Sequence, residues 1–198
     1  MSRVSSKNIH WDYYTAIEND VYSLSRFVEL HENNFNTYSI EMVRLLLAAS
    51  SEVDVVIKSL CREVEPESNP SNIDRYREII KKSVPEVVRT KVVIKRHGLM
   101  FEPWSNWSDS ENPSWWRSYN KVKHERNNYY SHANLENVLN SVAALLVVNV
   151  YLNHYSICNE IRRNSELYIH SDLRQTIKSL KPVSGFFRID DYFLYIEE

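Results

Sequence analysis

The sequence predicts a mainly α-helical protein: a bundle of four to five helices with a small β-hairpin insertion and an irregular C-terminal tail. Two observations lead there. Apolar residues recur at three- and four-residue steps over several long stretches, the period of a helix that buries one face. The 198-residue chain also holds only two glycines, Gly98 and Gly185. That suits a chain spent mostly in helices, where a glycine costs about 1 kcal/mol relative to alanine. The same scarcity excludes the sites built on clustered glycines, namely dinucleotide fingerprints, phosphate loops and nucleophile elbows. One domain is expected over 1–198, with an insertion at about 65–113 and a C-terminal extension at about 164–198.

Residues 11–30 predict the first helix, its stripe formed by Tyr14, Ile17, Val21, Leu24 and Val28. A polar, Asn-rich break at 31–36 follows. The second helix starts near Thr37 or Ser39, either of which can cap it, and runs to about Cys61 through Val43, Leu46, Leu47, Val53, Val56, Ile57 and Leu60. Pro66 and Pro70 mark a loop, and 72–83 suggests a short exposed helix. The β-branched run Val92-Val93-Ile94, the His97-Gly98 turn and Leu99–Phe101 predict the hairpin. Then comes an aromatic loop with Trp104, Trp107, Trp115 and Trp116. It predicts either a lid of large side chains on the bundle, the favoured reading, or a platform for stacking bases. Helices are expected at 114–130 and 133–163, with a kink or break in the Asn127–Ser131 run. Residues 172–180 suggest a further helix, and 186–196 a terminal hairpin or strand.

Cys61 and Cys158 stand alone, which fits a reducing compartment and neither a disulfide framework nor a zinc knuckle. The polar N-terminus has no signal core. The apolar stretch 138–157 carries Asn140, Asn149, Asn153 and His154 around the helix, so it is read as a buried core helix and not a membrane span. A cytoplasmic protein without membrane partners is expected. The net charge of −2 conceals a basic middle. Arg75, Arg77, Lys81, Lys82, Arg89, Lys91, Lys95 and Arg96 form one cluster, and Arg117, Lys121, Lys123 and Arg126 a second. Such clusters suit a polyanion, although charge alone favours a solvated helix face.

Three features carry candidate chemistry. Glu52 shares a helix face with Leu45, Ala49 and Val56, so its carboxylate is expected to point toward the core and to need a partner. Asp54 faces outward beside Lys58. Next, Arg117, Asn120, His124 and Asn127 fall on one side of the 114–130 helix. This polar stripe is the expected partner of Glu52, through Arg117, Lys123 or His124. The third feature is the run from Arg126 through Asn127 to His132, an Arg, an Asn directly after it, and a His a few residues on.

That last pattern resembles the signature of HEPN domains, Arg followed after four to six residues by His. The resemblance covers roughly 11–61 and 114–163. It implies a four- or five-helix bundle, commonly dimeric, and in many members metal-independent endoribonuclease activity in toxin–antitoxin, abortive-infection and other antiviral systems. A second frame, Arg117 to His124, also satisfies the spacing. The string from Tyr119 to Arg126, followed by Ala133-Asn134-Leu135, also looks like a block recurrent in bacterial proteins, one in which Asn120, His124 and Arg126 are typical and His132 less so.

Metal-free RNA cleavage needs a group to take the 2′-OH proton, one to protonate the leaving oxygen, and a cation for the phosphorane. Histidine and arginine suit these roles. The site residues expected are therefore Arg126, His132, His124, Asn127, Asn120, Arg117 and Glu52, with neither cofactor nor metal. RNA is the expected partner, with a second copy of the chain meeting the first through the Trp-rich lid, and an antitoxin or other defence protein. The reading from a different class is a non-catalytic helical module that binds RNA or a partner protein. A metal-dependent hydrolase would want Glu-x-x-His pairs on facing helices, and neither Glu52 nor His124 belongs to one.

Overall fold

The computed structural model describes residues 6–163 and 186–190. Among these residues the elements in order are α1 (Ser6–Leu24), α2 (Ile40–Val64), α3 (Ile73–Ser83), α4 (Glu86–Arg89), β1 (Val92–Ile94), β2 (Leu99–Phe101), α5 (Ser114–Tyr129), α6 (Leu135–Arg163) and β3 (Arg188–Ile189). The protein is thus mainly α with a small antiparallel sheet. The helix expected at 172–180, and the remainder of the expected terminal strand at 191–196, lie outside the described residues.

The long helices α1, α2, α5 and α6 pack on one another, with α2 against α6 as the most extensive interface. Every residue of α6 from Ser141 to Asn153 is buried. By length and composition α6 could cross a membrane, yet 78% of that apolar stretch is enclosed by the rest of the bundle. Its polar side chains bond to its own backbone: Ser141 Oγ donates to the Val138 carbonyl at 2.8 Å, Asn149 Nδ2 to Leu145 at 3.0 Å, and Asn153 Nδ2 to Asn149 at 2.8 Å. Local satisfaction of this kind lets amides enter an apolar core without stranding a donor.

Ser39, not Thr37, caps α2: its Oγ accepts from the Met42 N–H at 3.2 Å. Asn72 does the same for α3. Helix α3 is less exposed than its sequence suggests, because Ile73, Tyr76, Ile79 and Ile80 form a stripe packed on the core. The hairpin has the register Val92↔Phe101, Val93↔Met100 and Ile94↔Leu99. A single 3₁₀ turn joins its strands and closes at Gly98, whose φ of 64° is the left-handed conformation that glycine adopts without strain. Strand β3 pairs antiparallel with the other edge of β1, giving the order β2-β1-β3.

The tryptophan loop is a packed plug. Trp104, Trp107 and Trp115 are essentially fully buried, and Trp116 nearly so. Their rings contact in series, Trp104–Trp107 at 4.4 Å, Trp104–Trp115 at 5.3 Å and Trp115–Trp116 at 5.7 Å between centroids. Trp115 Nε1 donates to the Pro103 carbonyl at 2.8 Å. Buried rings offer no face to a base, so the lid reading holds and the stacking reading of this loop falls. The same burial removes these tryptophans as a surface for a second copy.

A carboxylate outside the expected site residues organises the start of the bundle. Glu18 is fully buried. Its Oε1 accepts from the Tyr14 hydroxyl at 2.9 Å and from the Phe187 N–H at 3.0 Å, joining α1 to the segment that carries β3. Burial, reinforced by the neighbouring Glu18 charge, holds the Tyr14 phenol well above its ordinary range. The sequence does carry a signal for it: Glu18 sits four residues after Tyr14 and three before Val21, on the apolar stripe of α1.

Two outcomes follow from this packing. Glu18→Ala leaves the Phe187 N–H and the Tyr14 hydroxyl unpaired in the core, so urea unfolding is expected to show a loss of about 2–5 kcal/mol, and limited proteolysis faster cutting near 186–190. Burial, with a smaller contribution from Glu65, pushes the Cys61 thiol up to about 12. Cys61 is therefore protonated at neutral pH, and a thiol reagent should label it only after unfolding.

Candidate functional site at the α5 kink

Helix α5 is not continuous. At Glu125 the backbone leaves the helical region (φ −136°, ψ 52°), and one further turn runs to Tyr129. The sequence there explains the weakness, since Asn127 and Asn128 compete with the helix ladder through their own side chains. A 3₁₀ turn at Tyr130–His132 then leads into α6.

This turn is tightly held from behind. Asn134 caps α6, its Oδ1 accepting from the Asn137 N–H at 3.0 Å, while Asn137 Nδ2 donates to the His132 carbonyl at 3.0 Å. The N–H groups of Leu135 and Glu136 donate to the carbonyls of Thr37 and Phe35 at 2.9 and 3.2 Å. Tyr38 forms a backbone bridge with Asn134. The Ala133-Asn134-Leu135 string thus has a structural role, starting the core helix and pinning the preceding turn to the loop before α2.

An open cleft of about 430 Å³ lies at the kink, lined by Lys123, His124, Glu125, Arg126, Asn127 and Asn128. All six residues are exposed. Glu125 Oε2 accepts from Asn128 Nδ2 at 3.3 Å. Among the described residues, His124, Arg126 and Asn127 make no hydrogen bond or ion pair through their side chains. Elsewhere the basic residues are largely neutralised: Arg75 pairs with Glu78, Arg77 with Asp74, Lys82 with Glu65 and Lys91 with Glu102. Most of the 75–96 cluster is therefore a solvated face bonded to its neighbours, Arg89 and Arg96 excepted, and among the described residues Lys123 and Arg126 at the α5 kink likewise form no ion pair.

Of the expected site residues, the cleft brings together His124, Arg126 and Asn127. Asn120 is half-buried one turn earlier. His132 is half-buried outside the cleft lining, its ring edge-on to Tyr129 at 5.3 Å. Arg117 lies at the exposed start of α5, donating to Glu111 Oε2 at 3.2 Å. The polar stripe of α5 is thus a largely solvent-facing surface, and not the interior network expected to receive Glu52.

Glu52 is corrected accordingly. It pairs with His10 of α1, Nδ1 to Oε1 at 2.6 Å, with side-chain exposures of 22% for His10 and 15% for Glu52. The carboxylate is partly buried, as its place on the apolar face of α2 predicts, but α1, not α5, covers that part of α2. The pair ties two helices together and lies outside the cleft. Asp54 pairs with Lys58 as expected, and also accepts from the Tyr76 hydroxyl at 3.0 Å. Among the described residues no three His, Cys, Asp or Glu side chains converge as metal ligands.

If His10 and Glu52 act as a pair, Glu52→Ala and His10→Ala should each cost about 1–3 kcal/mol by urea unfolding. The double variant should cost less than their sum by about 1 kcal/mol, whereas simple additivity would separate the two residues. Comparison with known protein families, curated proteins and solved structures finds no match to this chain.

Proposed function

We propose that the chain is a HEPN-like, metal-independent endoribonuclease of a bacterial defence or toxin module, working in the cytoplasm with its catalytic groups at the α5 kink. One observation carries the reading: Arg126, His124 and Asn127 stand exposed and, among the described residues, unpaired around one polar cleft, just before a turn pinned to the core helix. An exposed cation that stabilises nothing in the fold is free to stabilise a ligand. Preorganisation from behind spares the ordering cost that a mobile loop would add on binding.

In the proposed reaction a histidine takes the proton from the ribose 2′-oxygen as that oxygen bonds to phosphorus. The bond from phosphorus to the 5′-oxygen breaks, and a second acid protonates the departing oxygen. The guanidinium of Arg126 balances the charge gathering on the non-bridging oxygens. His124 shares the cleft with Arg126 and is the first candidate for the proton work. His132 satisfies the motif frame and is the second candidate. A second copy of the chain would supply the other half of the acid–base pair.

A specific observation favours the other reading, a helical module that binds RNA or a partner protein without cleaving. No hydrogen bond joins Arg126 to His124 or to His132 among the described residues, and the His132 ring is packed against Tyr129.

Incubating the purified protein with single-stranded RNA in EDTA separates the two. The nuclease reading expects cleavage in chelator, 2′,3′-cyclic phosphate ends and no cutting of DNA, which lacks the attacking hydroxyl. Arg126→Ala should lower the rate by about 100-fold or more with an unchanged melting temperature, because the Arg126 side chain holds no partner among the described residues. Of His124→Ala and His132→Ala, the folded but inactive variant names the catalytic histidine. Light scattering should find the active species dimeric. Absence of cleavage by the parent protein would leave the binding module.

A further inference from the structure

The exposed aromatic surface that the tryptophan loop lacks is found instead beside the cationic cleft. Tyr38 is 52% exposed. It is nonetheless anchored, since its backbone bridges to Asn134 and the neighbouring Thr37 carbonyl accepts from the Leu135 N–H. Its ring meets that of Tyr130 edge-on, 5.8 Å between centroids at 79°. Tyr129 and Tyr130 are half-buried and follow Arg126 by three and four residues, Tyr129 ending α5 and Tyr130 opening the 3₁₀ turn after it. Lys121 Nζ lies 5.2 Å from the centre of the Tyr129 ring. A cation over the Tyr129 ring and the Tyr38–Tyr130 ring pair thus flank the segment that carries Arg126.

We infer that Tyr38, supported by Tyr130, is a stacking platform for an unpaired base of a single-stranded nucleic acid whose phosphates lie along Lys121 and Arg126. The inference rests on the nucleic-acid reading of the cleft and deepens it. An isolated exposed tyrosine is ordinary on a protein surface. Tyr38 differs in having a fixed backbone, a second ring set nearly perpendicular to its own, and Arg126, without an ion pair among the described residues, four positions before that second ring. A single strand needs this combination of a cationic track for its backbone and π-faces for its bases. A duplex, with its bases already stacked, cannot offer a base to Tyr38. The preference is therefore for single strands, with little dependence on which base is presented.

The test is binding, not cleavage. Fluorescence anisotropy would be measured with a short labelled oligothymidylate, which has no 2′-hydroxyl to react, and with an abasic oligomer of the same length. The parent protein should bind the base-bearing oligomer more tightly. Tyr38→Leu, which keeps an apolar side chain but removes the π-face, should weaken oligothymidylate binding at least about fivefold, the lower end of what one stacked base contributes. It should leave the abasic affinity unchanged, and Tyr38→Phe should restore the parent value. Equal affinities of the parent for both oligomers, or no effect of Tyr38→Leu, would overturn the platform while leaving phosphate binding at the cleft intact. If neither oligomer binds, the nucleic-acid reading fails together with the platform. Oligothymidylate binding that depends on Tyr38 in a protein that cleaves no RNA would support the platform and reject only the nuclease.

Discussion

A helix that is apolar around its whole circumference is stable in water only when other elements surround it, and α6 is such a helix over Ser141–Asn153. The rest of the architecture follows from enclosing it. Helix α2 lies along it, α1 and α5 close its flanks, and α4 adds a smaller contact. The Ser141, Asn149 and Asn153 side chains turn back onto the helix's own carbonyls, and the Tyr151 hydroxyl meets Thr90 Oγ1 at 3.0 Å, so α6 asks little of its neighbours beyond apolar surface. At its far end Asn159 Nδ2 donates to the Glu63 carbonyl and carboxylate at 2.8 and 2.9 Å, fixing how α6 and α2 lie together.

The start of α6 transmits this constraint to the surface. Because Asn134 must cap the helix, and because the loop at 35–38 supplies acceptors for its first N–H groups, the turn at Tyr130–His132 has little freedom. Helix α5 meets that turn from the other side, tied to the tryptophan plug at its beginning through Trp115. The non-helical residue falls between these two anchors, at Glu125. The kink is thus a consequence of joining two fixed ends through a segment rich in Asn. The cleft with its unpaired cations is a feature of the kink.

The two carboxylates on apolar faces illustrate how burial depends on neighbours. Glu18 and Glu52 both interrupt a hydrophobic stripe. Glu18 meets Tyr14 and the chain at Phe187 and is fully enclosed, whereas Glu52 meets His10 near the rim of the bundle and keeps some contact with solvent. Neither reaches the cleft. Carboxylates here link α1 to the chain's other segments, while among the described residues Lys123 and Arg126 at the α5 kink form no ion pair, even with Glu125 lining the same cleft.

Local pattern determined a good deal. The 3.6-residue period located the four long helices, the β-branched run before His97-Gly98 located the hairpin, and Asn-rich composition marked the end of α5 as weak, because each of these properties is set by the residues themselves. Which helix covers which is a different kind of fact. Glu52 was legible as a carboxylate in need of a partner, yet His10 lies forty-two positions away and was indistinguishable from any other polar residue near an N-terminus. Glu18 stood on an apolar stripe, but its partner at Phe187 lies 169 residues on, just before a strand whose place beside β1 no periodicity encodes. The tryptophans allowed a plug or a platform, and only their packing against one another decided for the plug. The pairing of Arg75, Arg77, Lys82 and Lys91, and the exposure of Arg126 and His124, were likewise decided in three dimensions. A charge is compensated or free according to what the fold brings within a few ångströms of it, and sequence spacing beyond one helical turn carries no record of that distance.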